Sequence, residues 1–376
     1  MKLRIEHDVF ADAVSWTVRT IPTRPSLPIL SGIKIEAKDT GVVALSSYDP
    51  DISSYAEITG DVEEAGTILV HGRLLAEYAR ALPNKPIDLT VEGTKLDLQC
   101  GSSRMVMTSM PLEDYPAAPP LDGVSGVVDG AAWQHAVAQA VTAASTDDTL
   151  PLLVSVCIEI NGENIALMAT DRYRLAIANL TWEPEDPQIS ARILVRASRL
   201  SDIAKSLGSV GNVRMTLDTT GRTGLIGFRA ADRQNVARLI DGDYPQVRAL
   251  FPDTVNGYAV IDRLMLLDAI KRARLVVEKN SAVRLSFTEG SVVLDAGQND
   301  SAQTSEALPA TLTGEDIAMA FNPAYLQDGL TAVDTPFVRL SFTSPTKPAV
   351  ITGQPEENGS DTDEFRLLLM PIRTYS

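Results

Sequence analysis

The residues able to do chemistry in this chain are few and scattered. Three histidines, His7, His71 and His135, lie far apart, and none has a second histidine at metal-ligand spacing. The two cysteines, Cys100 and Cys157, form no CxxC pattern, so neither a disulfide framework nor a thiolate zinc site is expected. No GxxxxGKS/T is present and no GxGxxG opens a helix to cradle a phosphate. The glycines of TTGRTGLIG (219–227) sit inside a strand pattern, where a turn or bulge is the plain reading. Asp147 and Asp148 are the tempting carboxylate pair, but adjacent acids in a loop between helix and strand are expected to be solvated. The search returns no catalytic residue, no metal and no cofactor, and the chain is not read as an enzyme.

What remains is charge. Thirty-three Lys and Arg stand against 49 Asp and Glu, a formal net charge of −16 over 376 residues. That average argues against a nucleic-acid binder, which usually carries a basic surplus. The distribution says something different. The stretch 195–207 holds Arg196, Arg199 and Lys205 against the single acid Asp202, and 70–82 holds Arg73 and Arg80 against Glu77. A helix beginning near 262 ends in Lys271, Arg272 and Arg274, while Arg19 and Arg24 close the first helix and its loop. Acids gather in DVEEAG (61–66), WEPEDP (182–187) and QPEENGSDTDEF (354–365). Charged outer faces are ordinary for helices. The sharper reading is a basic surface shared by the helices, with acid left to the sheets and loops.

The elements carrying these charges recur three times. VFADAVSW (9–16), AWQHAVAQ (132–139) and MLLDAIKR (265–272) each have apolar residues at helical spacing, with Asp8, Asp129 and Asp262 as candidate N-caps. LPILSGIKIE (27–36) is matched by LPLLVSVCIE (150–159), and VALSSYDPDISSYAEI (43–58) by IALMATDRYRLAIANL (165–180). A second helix follows at 70–82, 195–207 and 320–333, then an alternating hairpin at 87–100, 213–228 and 338–353. The units close on MPLEDYP (110–116), IDGDYP (240–245) and LLLMPIR (367–373). A period of about 125 residues is too long for a solenoid, whose repeats run roughly 20–50. The expectation is an α+β chain of three similar domains, 1–124, 125–253 and 254–376, each with two helices packed on antiparallel sheets. No stretch approaches the ~18 apolar residues of a membrane helix, and MKLRIEHDVF has no apolar signal core, so a soluble, cytoplasmic protein is expected.

RPSLPIL (24–30), ATDRYRLA (169–176), DGDYP (241–245) and MPIR (370–373), at these separations inside a threefold repeat, resemble the bacterial sliding clamps, the beta subunits of the replicative DNA polymerase. The resemblance covers the entire chain. It implies a head-to-tail homodimeric ring of six domains, helices lining the hole and sheets forming the wall. Elementary geometry fits. Twelve helices with axes ~10 Å apart make a circle roughly 38 Å across, leaving about 28 Å once helix thickness is removed. That admits a duplex of roughly 20 Å, whereas six helices would leave about 9 Å. The implied partners are double-stranded DNA held without sequence specificity, the replicative polymerase, a clamp loader ATPase, other polymerases and repair proteins carrying short linear motifs, and a second copy of the chain. Arg24, Arg73, Arg80, Arg196, Arg199 and Lys205 would face phosphates.

The resemblance also implies a pocket for partner peptides, formed by Leu153, Thr170, Arg172, Arg174, Leu175, Pro245, Leu368, Met370, Pro371, Ile372 and Arg373, an apolar groove rimmed by arginine. Met105 and Met107 on an edge strand, with Leu275, would form the dimer seam. The chain departs from the family at Arg172 and Tyr173, where Gly-His is common. It also departs at the acidic loop STDDTLP (145–151), at Ala249, and in the extension Thr374, Tyr375 and Ser376. The alternative reading is a repeat-built binding scaffold that does not encircle DNA.

Overall fold

The computed structural model describes residues 1–116, 121–218, 223–277, 281–299 and 302–372. Six α-helices occur among them: α1 (His7–Thr17), α2 (Gly72–Ala81), α3 (Gly130–Val141), α4 (Ala197–Leu207), α5 (Arg263–Ala273) and α6 (Pro323–Ala332). They fall two to a repeat, as the spacing of apolar residues predicts. Asp262 caps α5 as expected, its carboxylate accepting from the Met265 N–H at 2.9 Å. At α1 the cap position is Glu6, with no side-chain cap, and Asp8 lies within the first turn, where its charge faces the positive end of the helix instead. His71 caps α2 through Nδ1, which accepts from the Leu74 N–H at 3.3 Å. Asn322 caps α6, accepting from the Ala324 N–H at 2.9 Å.

The described residues divide into two compact units. The first comprises Met1–Ala131, Glu183–Asp186 and Asp202–Leu239. Its nine-stranded antiparallel sheet runs Glu183–Pro184, Val124–Val128, Val213–Leu217, Leu225–Ala230, Arg233–Arg238, Ile52–Thr59, Val42–Asp49, Gly32–Ala37, Gly66–His71. A five-stranded sheet ends on the edge strand Ser103–Thr108. Between the sheets and the α1–α2 pair lies one apolar cluster that includes Phe10, Val14, Ile33, Leu45, Leu75, Leu89 and Leu98. The second unit holds a nine-stranded and a four-stranded sheet. Its large sheet passes from Ser190–Arg196 through Ser155–Asn161, Asn164–Thr170 and Arg174–Thr181 to Phe365–Leu369 and on to Thr311–Thr313.

Both large sheets cross a repeat junction. In the first unit Arg233–Arg238 pairs with Ile52–Thr59, and in the second Arg174–Thr181 pairs with Phe365–Leu369. An open edge on either strand would expose unpaired N–H and C=O groups. Sharing a sheet removes those edges, which is why three sequence repeats give two compact units. The first junction is secured by Asn235, buried, whose amide donates to Ser54 Oγ at 2.6 Å. All three expected hairpins are present. Residues 117–120 and 219–222, within the first joint and within TTGRTGLIG, lie outside the described residues. No described helix is long and apolar enough to cross a membrane.

Tyr115, in the closing signal of the first repeat, anchors the segment that leaves it. Its hydroxyl accepts from the Tyr48 N–H at 2.9 Å and donates to Gly32 O at 3.0 Å. Burial pushes this phenol up to about 12, against the opposing pull of the Tyr48 N–H. An unfolded tyrosine titrates near 10. The stability carried by the neutral phenol is therefore complete below about pH 10 and is lost as pH rises towards 12. In alkaline unfolding titrations Tyr115→Phe is expected to flatten part of the decline between those values. A slope unchanged from the parent would remove Tyr115 as an anchor.

Candidate functional site

On α2, Leu75, Ala76 and Ala79 are buried, while Arg73, Glu77 and Arg80 project from the opposite face. Arg73 Nη2 donates to Ile21 O at 2.7 Å and Arg80 Nε to Ser15 Oγ at 2.9 Å, so both side chains lie across the α1–α2 pair. Arg24, in the loop beyond α1, is exposed and has no partner among the described residues. On α4, Leu200, Ile203, Ala204 and Leu207 are buried, Lys205 is exposed and Arg199 half-buried. Arg196, one residue before α4, pairs with Asp148 at 2.7 Å. Asp147 serves its own loop, accepting from the Thr149 N–H at 3.0 Å and Oγ1 at 2.7 Å, and these bonds hold its carboxyl below the usual range. The adjacent acids thus have separate local partners. The basic end of α5 is largely answered by its surroundings: Lys271 pairs with Asp268, and Arg272 with Glu306.

The histidines and cysteines are occupied structurally. His7 Nε2 lies 2.9 Å from Ala79 O, joining α1 to α2, and His135 lies beside Asp334. Cys100 is buried against the carbonyls of Pro83 and Lys85, and burial pushes the Cys157 thiol up. A thiol so placed is a poor nucleophile.

The second cluster of expected site residues builds around the turn 171–173. Thr170 Oγ1 donates to Arg174 O at 2.7 Å, and Asp171 Oδ1 accepts from the N–H groups of Tyr173 and Arg174, each at 2.9 Å. Arg172 takes φ +79°, the left-handed region that glycine occupies without strain. Leu175 stands opposite both Thr170 and Leu368. Beyond the paired strands, Met370 N–H donates to Tyr173 O at 2.9 Å and Ile372 N–H to Ala320 O at 2.7 Å, so the chain end is tied down on both sides.

Leu175 and Leu368 are only 1% and 3% exposed, in an apolar cluster with Cys157, Met168, Ile177, Tyr244 and Val247. Leu152 and Ile240 pack against this cluster; in the same unit Met370 is 43% exposed, Pro245 and Tyr173 are exposed, and Leu153, Pro371 and Ile372 are half-buried. Arg373 lies outside the described residues, as do 374–376. The arrangement offers an apolar floor beneath an exposed rim, suited to an extended peptide with hydrophobic anchors. The rim charge differs from expectation. Arg174 is turned inward, its side chain 11% exposed, bonded to Asp171 at 3.0 Å and to Asp328 of α6 at 2.7 Å. Its guanidinium also stacks on Tyr325, 4.3 Å from the ring centre. Two carboxylates and an aromatic face hold it better than an open rim could. Arg172, exposed and with no side-chain partner among the described residues, is the arginine available at the edge.

Comparison with known proteins decides the family. Family models described as the N-terminal, central and C-terminal domains of the DNA polymerase III beta subunit match residues 1–119, 128–246 and 248–372. The chain belongs to the DNA polymerase III beta subunit family. A beta sliding clamp from Streptomyces coelicolor is 45% identical over 374 residues, covering 99% of each chain. One from Micrococcus luteus is 46% identical over 312 residues, covering 83% of this chain and all of the relative. The crystal structure of the sliding clamp from Bacillus subtilis superposes with a TM-score of 0.92 at 25% identity, covering all of both chains.

Against the seam expected for this family, Ser103–Thr108 is an edge strand as anticipated, but its methionines face inward. Met107 is buried in the first unit's core and Met105 packs against it, because the pleat alternates and Val106 takes the outward position. Any seam on this strand is made by its free backbone edge and by Val106. Leu275, just past α5, is 85% exposed. Three site residues went unseen in the sequence. Arg192 pins the closing signal of the second repeat, donating to Tyr244 O at 3.2 Å and Pro245 O at 3.3 Å. Tyr325 and Asp328 fix Arg174.

Proposed function

We propose that this chain is a DNA polymerase processivity factor that performs no catalysis itself. Two copies close head to tail into a ring around duplex DNA, each supplying domains 1–124, 125–253 and 254–376. Arg73 and Arg80 on α2, Arg199 and Lys205 on α4, Arg24 in the loop beyond α1 and Arg196 just before α4 meet phosphates, giving attraction without sequence preference. The replicative polymerase, other polymerases and repair proteins dock short peptides over Thr170, Leu175 and Leu368, between Leu153, Arg172, Pro245, Met370, Pro371 and Ile372. A clamp loader ATPase opens and closes the ring, since the sequence carries no nucleotide-binding motif of its own. The ring works inside the cell, in the cytoplasm. The observation that carries this reading is family membership along the whole chain, from residue 1 to 372.

The test has two stages. Light scattering behind a sizing column should give twice 40.4 kDa across a range of concentrations. The ring, loaded with a purified loader and ATP, should then stay on nicked circular DNA and be lost within seconds of cutting the circle. A persistent monomer, or equal retention on circular and cut DNA, would mean the scaffold reading is correct.

A further inference from the structure

The turn between Asn164–Thr170 and Arg174–Thr181 holds an arginine in a backbone conformation that side chains avoid. Arg172 has φ +79°, and among the described residues only Ala231 joins it as a non-glycine residue at positive φ. That conformation crowds Cβ against the following carbonyl, a cost glycine escapes. The repeat itself does not demand it. Pro50 holds the corresponding place in the first repeat, and its ring locks φ at about −65°. Hydrogen bonds fix the turn around the arginine: its N–H donates to Thr170 Oγ1 at 3.2 Å, and Asp171 Oδ1 accepts from the next two N–H groups, each at 2.9 Å. Strain of this kind persists where neighbours over-determine it, and it gathers at ligand sites.

The charge presented there is uncommitted. Arg174 holds both Asp171 and Asp328, at 3.0 and 2.7 Å, and Arg196 holds Asp148 at 2.7 Å. Asp147 accepts from the Thr149 hydroxyl and N–H, and these bonds come first in keeping its carboxyl low. The Arg172 charge adds to that effect from a distance. Arg172 is itself exposed and joins no ion pair among the described residues.

The segments on either side of this guanidinium carry the apolar cluster. Thr170 and Leu175, opposite one another, close the strands that the turn joins, and Tyr173 O accepts from the Met370 N–H at 2.9 Å. Asp147 lies in a loop closed by the Ser145 N–H donating to Leu153 O at 2.9 Å, and Leu152 of that segment packs against the cluster of Leu175 and Leu368. A free guanidinium beside an apolar groove is suited to a carboxylate, which it can grip with two parallel N–H bonds. The chain as a whole, at −16, repels acidic segments. That repulsion is screened beyond ~10 Å at 0.1 M salt, so a local cation decides whether an acidic segment is admitted.

We propose that Arg172 sets the specificity of the peptide pocket, favouring segments that carry an Asp or Glu beside their hydrophobic anchors, and that the left-handed backbone is retained for this contact. Asp147 opposes it and limits the preference. The inference rests on the peptide-pocket reading of Leu175 and Leu368.

Methyl NMR of the full chain, read at Leu175 and Leu368, compares two probes: acetyl-Asp-Leu-Phe-Leu-Asp-amide and acetyl-Asn-Leu-Phe-Leu-Asn-amide. Matching ends let either chain direction bring one of them to the turn. Affinity for the Asp probe relative to the Asn probe is expected to fall about fivefold in Arg172→Gly, the upper end for an exposed charge pair. Arg172→Asn should show the same fall, since asparagine tolerates positive φ and keeps the turn from loosening. Asp147→Asn should raise the ratio, and high salt should shrink the difference between parent and variants. Arg172→Gly should also unfold at a urea concentration no lower than the parent's. A clearly lower midpoint would show that the arginine serves the fold, and would overturn the proposal. Saturable binding of both probes with the same ratio in parent and variants would overturn the selection and leave the pocket standing. No shift at Leu175 and Leu368 from either probe would remove the pocket, and the selection with it.

Discussion

Arg174→Ala is expected to lower stability by about 3 kcal/mol, the usual result of leaving a buried charge without its partner. The side chain closes three interactions at once: Asp171 at 3.0 Å, Asp328 at 2.7 Å and the face of Tyr325 at 4.3 Å. Asp171 is as deeply placed as Arg174, at 11% side-chain exposure, so its carboxylate would lose its partner away from water. Asp328 is nearly half exposed and would be rehydrated, so Asp328→Ala is expected to cost about 1 kcal/mol or less. Arg174→Lys should fall between, because an ammonium cannot span two carboxylates and lie flat on a ring. Urea unfolding of the three variants decides the matter. If Arg174→Ala costs no more than Asp328→Ala, the guanidinium is not the clamp between the strand and α6, and its assignment to the open rim returns.

Periodicity marks a face and leaves its partner unnamed. Helix α2 was legible because Leu75, Ala76 and Ala79 mark one face and Arg73, Glu77 and Arg80 the other, and burial follows that pattern. The hairpins were legible for the same reason. Pairing across repeat junctions was not, since nothing local in Ile52–Thr59 or Arg233–Arg238 says that each is the other's neighbour some 180 residues away. The pocket floor at Leu175 and Leu368 came from resemblance, and periodicity alone reads them as core, which their burial also satisfies. Resemblance names Met105 and Met107 on an edge strand but does not say which face of it is inward; here Met107 is buried and Val106 faces outward. The inward turn of Arg174 is not legible locally, because its partners Asp328 and Tyr325 lie about 150 residues downstream on α6.

Neutralising Arg24, Arg73, Arg196 and Arg199 together should flatten the salt dependence of DNA binding more than any other change to this surface. Each phosphate contact contributes about 0.9 to the slope of log K against log salt. Four contacts in each of two protomers would therefore remove up to about 7 from it. The four are not equal. Arg24 is exposed and unpartnered among the described residues, and Arg73 bonds the Ile21 carbonyl through one nitrogen only. Arg196 must give up Asp148, an exposed pair worth about 1 kcal/mol at most, before it can meet a phosphate. Asp148→Asn is accordingly expected to tighten binding a few-fold and to steepen the slope. These effects belong to attraction, and a ring holds DNA by a second means. The quadruple variant should bind short linear duplexes far more weakly than its parent, yet once closed around a circle it should survive a high-salt wash nearly as well. Loss from circles in step with loss from linear duplexes would mean that charge alone does the holding, and the encircling reading would fall with it. An unchanged salt slope would instead place the phosphate contacts on other residues.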